Sequence, residues 1–112
     1  MDVSIIIVNY KTPELVVECI RSIREKTTGI SYEIIIVDND SKDNSLEIFS
    51  TELEEDIKVV VANENLGFGK ANNLGAQHAT GKYLFLLNSD TLLINNAIQI
   101  LYQYIEKNNH IG

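Results

Sequence analysis

Sulfur is nearly absent from this chain: Cys19 is its one cysteine, which excludes an internal disulfide framework and a cysteine-based zinc cluster. No apolar run approaches the ~18 residues of a membrane span. The opening Met1-Asp2-Val3-Ser4 lacks the basic flank of a secretory signal. Positive charge is scarce as well, with nine Lys and Arg against sixteen Asp and Glu and a net charge of −7. That balance removes the electrostatic footprint of a binder of nucleic acid or anionic membrane. It also means that a phosphorylated ligand needs a cation or aligned amide dipoles to be tolerated. No internal repeat, low-complexity stretch or linker breaks the chain. A soluble, cytoplasmic domain, or a piece of one, is expected. What is present is ordinary globular material: 112 residues, 45% hydrophobic and 22% charged, enough for one modest core.

Short apolar runs alternate with helical patterns. Val3-Ser4-Ile5-Ile6-Ile7-Val8 is β-branched and apolar on both faces, as a strand covered on both sides should be. Thr12 then reads as an N-cap, Pro13 as the first helical residue and Glu14 as an acidic first turn. Leu15, Val16, Cys19, Ile20 and Ile23 follow at helical spacing, and Gly29 closes the segment. A second unit has a strand over 33–37, a polar loop over 38–44, and a helix with Leu46, Phe49 and Leu53 in one stripe. A third strand over 57–62 leads through the glycine-bearing loop 63–69 into a helix over 70–79, which is expected to bury Ala71, Leu74, Gly75 and His78. The fourth strand, Tyr83 to Leu87, stops abruptly at Asn88-Ser89-Asp90. Asn95 is expected to cap a last helix with Ala97, Ile98, Leu101, Tyr104 and Ile105 on its apolar side. The order βαβαβαβα predicts an α/β fold, a doubly wound, mainly parallel sheet with helices on both faces.

In such sheets the ligand sits outside the carboxyl ends of the strands, where the strand order reverses. The segments just after the strands, 9–11, 38–41, 63–70 and 88–91, are therefore the candidate site, and each is polar. The other ends of the strands show no comparable clustering. Gly67-Phe68-Gly69 opens a helix after a strand, but Asn72 stands where a dinucleotide fingerprint needs its third glycine. Glu64 and Ala71 likewise break the P-loop pattern. The two glycines equally suit a plain tight turn.

Asp90, leaving a buried strand at the ligand edge, is placed to hold a hard cation such as Mg²⁺ or Mn²⁺, and reads equally as a turn residue before Thr91. Asp38 is the best ligand candidate of its loop, an acceptor for a base imide or a ribose hydroxyl. Asx-turn and capping chemistry accounts for Ser41, Asp43, Asn44 and Asp40. His78 and His110 have no partners at metal-ligand spacing, and Cys19 reads as a small core residue. Two other classes are weighed. A phosphatase of the haloacid dehalogenase type needs a nucleophilic Asp where this chain has Asn88. The other is a non-catalytic nucleotide-binding module, whose receiver-like form needs paired acids after the first strand, where Asn9-Tyr10 stand.

Four segments together resemble the N-terminal half of a family 2 glycosyltransferase of the GT-A fold. They are Val3 to Tyr10, Ile36 to Ser45, Asn63 to Gly75 and Ala79 to Thr91, in family order and spacing, and they span essentially the whole chain. An asparagine opening the acidic motif is most similar to the rhamnosyltransferase-type branch, which builds bacterial surface polysaccharides. The resemblance implies that Val8 and Tyr10 flank the nucleotide base, that Asp38 with Asn39 recognises the base edge, and that Lys70 approaches the diphosphate or ribose. It implies that Asp90 ligates a divalent metal, Mn²⁺ or Mg²⁺, while Asn88 departs from the first Asp of the family's D-x-D motif and is left to hydrogen-bond ribose or metal-bound water. It further implies a UDP- or dTDP-linked sugar donor, inverting transfer to a saccharide or lipid-linked acceptor, and a general base beyond the D-x-D motif. No catalytic residue is therefore assigned within 1–112, which reads as the donor-nucleotide-binding half with the acceptor half absent. Peripheral attachment of the full-length enzyme to the inner membrane and self-association of the isolated half complete the expectations.

Overall fold

The computed structural model describes residues 1–108; His110 lies outside them. Strand β1 is Val3–Asn9, β2 Tyr32–Asp38, β3 Lys58–Val61 and β4 Tyr83–Leu87, and they alternate with helices α1 Pro13–Lys26, α2 Ser45–Glu52, α3 Phe68–Ala76 and α4 Ala97–Lys107. The sheet has four strands in the order β3-β2-β1-β4, and every neighbouring pair is parallel. The α/β doubly wound reading therefore holds. Chain order steps outward from β1 through β2 to β3, then jumps back across β1 to β4. Right-handed crossovers in opposite directions place their helices on opposite faces of a sheet. Accordingly Ile5, Ile7, Ile34 and Ile36 pack with α1, with Phe49 of α2 and with Ile98 of α4. Ile6, Val8, Ile35 and Val37 pack under Ala71 and Leu74 of α3.

The all-apolar strand β1 is buried along its whole length because it feeds both of these cores. Helix α3 lies very close to the sheet: a Cβ on Gly75 would come within 2.7 Å of Ile6 Cγ2 and 2.9 Å of Val37 Cγ2. It starts and ends earlier than the expected 70–79, so His78 falls in the following turn, exposed, with Nδ1 3.1 Å from the Leu74 carbonyl oxygen.

Four residues expected in apolar stripes are open instead, Leu15 at 46%, Leu46 at 43%, Leu101 at 50% and Tyr104 at 57% exposure. Helix α1 buries Val16, Val17, Cys19, Ile20 and Ile23, a stripe turned away from Leu15. Helix α4 is tied on one flank to the loop after α1, where Gln99 lies beside Gly29 and Asn96 bonds Thr28. Leu101 and Tyr104 sit on the opposite flank, on the α1 side of the sheet, while β4, an edge strand, exposes Leu84 and Leu86 on its other face. That bare edge is the surface on which the expected self-association would have to be built. Two expected caps also differ. Asn96, not Asn95, stands at the N-cap of α4, and neither Asn96 nor Thr12 caps its helix with its side chain.

A polar cluster occupies the amino ends of the strands, contrary to the sequence reading. Glu33 Oε2 accepts hydrogen bonds from Ser4 Oγ, from the Thr80 N–H at 2.7 Å and from Thr80 Oγ1 at 2.9 Å. Its Oε1 lies 2.9 Å from Lys58 Nζ, and Ser4 Oγ in turn accepts the Gly81 N–H at 2.7 Å. Burial alone would push this carboxyl's pKa up. The bonds from Ser4, Thr80 and Lys58 outweigh it and bring the pKa down to about 2.

Candidate functional site

A cleft of about 490 Å³ opens at the carboxyl ends of the strands. Loops after all four strands line it: Val8, Tyr10 and Thr12 from the β1 side, Asn39 after β2, Asn65, Gly67 and Phe68 after β3, and Asn88, Ser89 and Asp90 after β4. Its centre is the switch point between β1 and β4, where the strand order reverses. The structure thus brings Val8, Tyr10, Asn39, Asn88 and Asp90 of the expected site to one cavity.

Asp38 and Lys70 are not on its wall. Asp38 lies behind Asn39, 4% exposed. Its Oδ1 accepts Asn9 Nδ2 at 2.8 Å and Ser41 Oγ at 2.7 Å. Lys70 stands exposed in the first turn of α3. Asn39 lines the cleft but spends its amide on the neighbouring loop: Nδ2 donates to Asn65 Oδ1 at 2.9 Å, and Oδ1 accepts the Leu66 N–H at 2.8 Å. It thereby holds the β3–α3 loop against the β2 loop. Gly67 adopts φ 80° at the N-cap of α3, a left-handed conformation that favours glycine, and its N–H donates to Asn65 Oδ1 at 3.0 Å.

The structure gives a part to residues that sequence reasoning left without an individual role, all but Thr12 within the candidate segments. Asn9 is wholly buried at the end of β1. Besides Asp38 it donates to Ser41 Oγ at 3.2 Å, while its Oδ1 accepts the Thr12 N–H at 3.2 Å. Ser41, expected in turn chemistry, is buried in this network and also accepts the Lys11 N–H at 2.9 Å. Asp43 alone follows the Asx expectation, and bonds from the Ser45 hydroxyl and N–H hold its carboxyl below the usual range. Thr12 turns its hydroxyl toward Asn9 Oδ1 and Ser89 Oγ, each at 3.4 Å, which bridges the β1 and β4 loops. Phe68 adds an exposed aromatic ring to the cleft wall. An asparagine ending an otherwise apolar strand was the available signal for Asn9.

Among the described residues no three His, Cys, Asp or Glu side chains are grouped to hold a metal ion. Asp90 is the single carboxylate on the cleft wall, flanked by the neutral oxygens of Asn88 and Ser89. One carboxylate with neutral donors fits a magnesium-type cation whose other ligands are water and substrate phosphates. Cys19 is not a nucleophile candidate: burial, and secondarily the charge of Asp90, push its thiol up to about 11. No helix among the described residues is long and apolar enough to cross a membrane.

Comparison with known proteins agrees with this geometry. GlyG, a glycosyltransferase of Streptococcus pneumoniae serotype 4, is 36% identical over 107 residues, which is 94% of this chain and 35% of GlyG. The crystal structure of S. aureus TarS 1-349 in complex with UDP-GlcNAc superposes with a TM-score of 0.79 at 25% identity, over 96% of this chain and 32% of TarS 1-349. The mannosyltransferase PcManGT from Pyrobaculum calidifontis, in complex with GDP-Man and Mn²⁺, shares the fold with a TM-score of 0.74 at 24% identity, over 87% of this chain and 30% of its own. The chain thus spans about a third of the length of these relatives. Residues 4–112 match the family model for glycosyl transferase family 2, and the chain belongs to that family.

Proposed function

We propose that residues 1–112 form the donor-nucleotide-binding half of an inverting glycosyltransferase, which uses a UDP- or dTDP-linked sugar. The observation that carries this reading is the cleft at the β1/β4 switch point, walled by Tyr10, Asn39 and Phe68 together with Asn88, Ser89 and Asp90. Tyr10 and Val8 flank the base, and the β2 loop bearing Asp38 and Asn39 reads its edge. The diphosphate lies toward Lys70 and Asp90. In a chain of net charge −7, a diphosphate needs such local compensation. Asp90, with Asn88 beside it, would hold Mn²⁺ or Mg²⁺, which when bound supplies positive charge for the departing diphosphate. The acceptor, a saccharide or lipid-linked saccharide of bacterial surface polysaccharide, binds to the acceptor half of the enzyme. The carboxylate base that deprotonates its hydroxyl belongs to that half as well.

Calorimetric titration with UDP and dTDP, with and without Mn²⁺, tests the reading. Binding that strengthens with Mn²⁺ and loses that strengthening in Asp90→Ala is expected. Equal binding with and without the metal, unchanged in Asp90→Ala, would remove Asp90 from the site. A chain that transfers sugar by itself would overturn the division into donor and acceptor halves.

A further inference from the structure

We infer that Asn9 and Ser41 are positioning residues of the nucleotide site, which occupy one oxygen of Asp38 and so dedicate the other to the base. The inference rests on the donor-site reading above. Its geometry is a closed ring of hydrogen bonds around Asp38 Oδ1. Asn9 Nδ2 and Ser41 Oγ both donate to that oxygen, Asn9 Nδ2 also donates to Ser41 Oγ, and the backbone N–H groups of Lys11 and Thr12 close the ring onto Ser41 and Asn9. Asp38 Oδ2 takes no hydrogen bond from the described residues, and no lysine or arginine among them pairs with this carboxylate.

The backbone around the ring is strained. Three non-glycine residues among those described adopt left-handed conformations, Lys11 at φ 60°, Asp40 at 59° and Lys42 at 55°, and all three sit in the two loops that the ring ties together. Such strain persists only where surrounding bonds over-determine it, and it concentrates at ligand sites. The open carboxylate oxygen is an acceptor that a donor on a ligand can fill. The N3–H of uracil or thymine is such a donor, whereas cytosine presents an unprotonated N3 at that place. The ring therefore sets base preference as well as affinity. Asn9 and Ser41 do so without touching the ligand.

The experiment compares UDP and CDP binding to the chain, to Asp38→Asn, to Ser41→Ala and to Asn9→Ala, with circular dichroism and thermal melting of each. Ser41→Ala is the milder variant and keeps the test open should Asn9→Ala unfold. The expected result is a loss of about tenfold or more in UDP affinity for Ser41→Ala, with the preference for UDP over CDP falling toward one while the fold persists. A merely structural serine would lower both affinities together and leave their ratio unchanged. If Asp38→Asn loses UDP preference but Ser41→Ala keeps both affinity and preference, the positioning role is overturned and the donor-site reading stands. If the unmodified chain prefers neither nucleotide, or Asp38→Asn binds as the unmodified chain does, the base-edge reading fails and the inference fails with it.

Discussion

Glu33 and Asp38 stand at opposite ends of β2, and each faces a polar partner directly across the strand pair: Ser4 is in register with Glu33, and Asn9 with Asp38. Around Glu33 both oxygens are filled, by Ser4 and Thr80 on one and by Lys58 on the other. Around Asp38 one oxygen is filled and the other is left without a partner among the described residues. The first cluster is satisfied in hydrogen bonds and in charge, so nothing remains in it for a ligand to supply. The second has an unmet acceptor and an uncompensated charge beside a cleft. A buried polar network rigidifies a fold when it is closed and becomes a binding device when it is deliberately short of a donor. Each end of the sheet is built on a carboxylate ringed by short polar side chains, and the degree of saturation, in bonds and in charge, separates support from site.

The sharpest way to break the closed network is Gly81→Ala. A Cβ there would overlap the Ser4 backbone nitrogen and lie 2.6 Å from Ser4 Oγ, and backbone packed into β1 has no room to yield. A loss of about 3 kcal/mol or more in urea unfolding is expected, with UDP affinity per folded molecule unchanged. A weakened UDP affinity in the folded fraction would mean that the two ends of the sheet are coupled.

Glu33→Gln is the next largest test. The Glu33 side chain is only 8% exposed, and its folded pKa of about 2 lies below the ordinary glutamate value of 4.5. A depressed folded pKa stabilises the protein fully above the unfolded value, and the contribution fades as pH falls from there through the folded value. Thermal melts should therefore show about 2 kcal/mol of stability at pH 7 that Glu33→Gln lacks. The gap between the two proteins should close between pH 4.5 and about 2. A gap independent of pH would mean that shape, rather than the ionised carboxylate, holds this end together.

The contrast between the two ends also marks how far the sequence could be read. The strands were legible because β-branched runs such as Ile5-Ile6-Ile7 and Ile34-Ile35-Ile36 leave few other homes for that much apolar surface. The cleft followed from them, since a doubly wound sheet places its ligand at the carboxyl ends. Register was not legible, and both carboxylate networks depend on it: Ser4 meets Glu33 and Asn9 meets Asp38 only once β1 and β2 are aligned. Glu33 further needs Lys58 and Thr80 from distant segments. Helix faces were misread where a helix overhangs a sheet edge, because periodicity marks an apolar stripe but not whether a neighbour covers it. Leu101 and Tyr104 on α4 show this. The cap expected at Thr12 was misread because its hydroxyl found a tertiary partner in Ser89, and the cap expected at Asn95 because Asn96 takes the N-cap position and spends its side chain on Thr28.

Lys58→Met gives the smallest expected effect and divides the closed network into its parts. Lys58 is 45% exposed and lies 2.9 Å from Glu33 Oε1. It also donates to the His78 carbonyl oxygen at 3.2 Å. A half-exposed ammonium is well solvated, so its pairing contributes at most about 1 kcal/mol and weakens with salt. The hydroxyl and N–H donors from Ser4 and Thr80 are neutral and insensitive to salt. If they carry the network, Lys58→Met should unfold within about 1 kcal/mol of the unmodified chain, and that difference should shrink as sodium chloride is raised. A loss as large as that of Glu33→Gln would instead make the ion pair the main support. Saturation by charge, rather than by hydrogen bonds, would then distinguish Glu33 from Asp38.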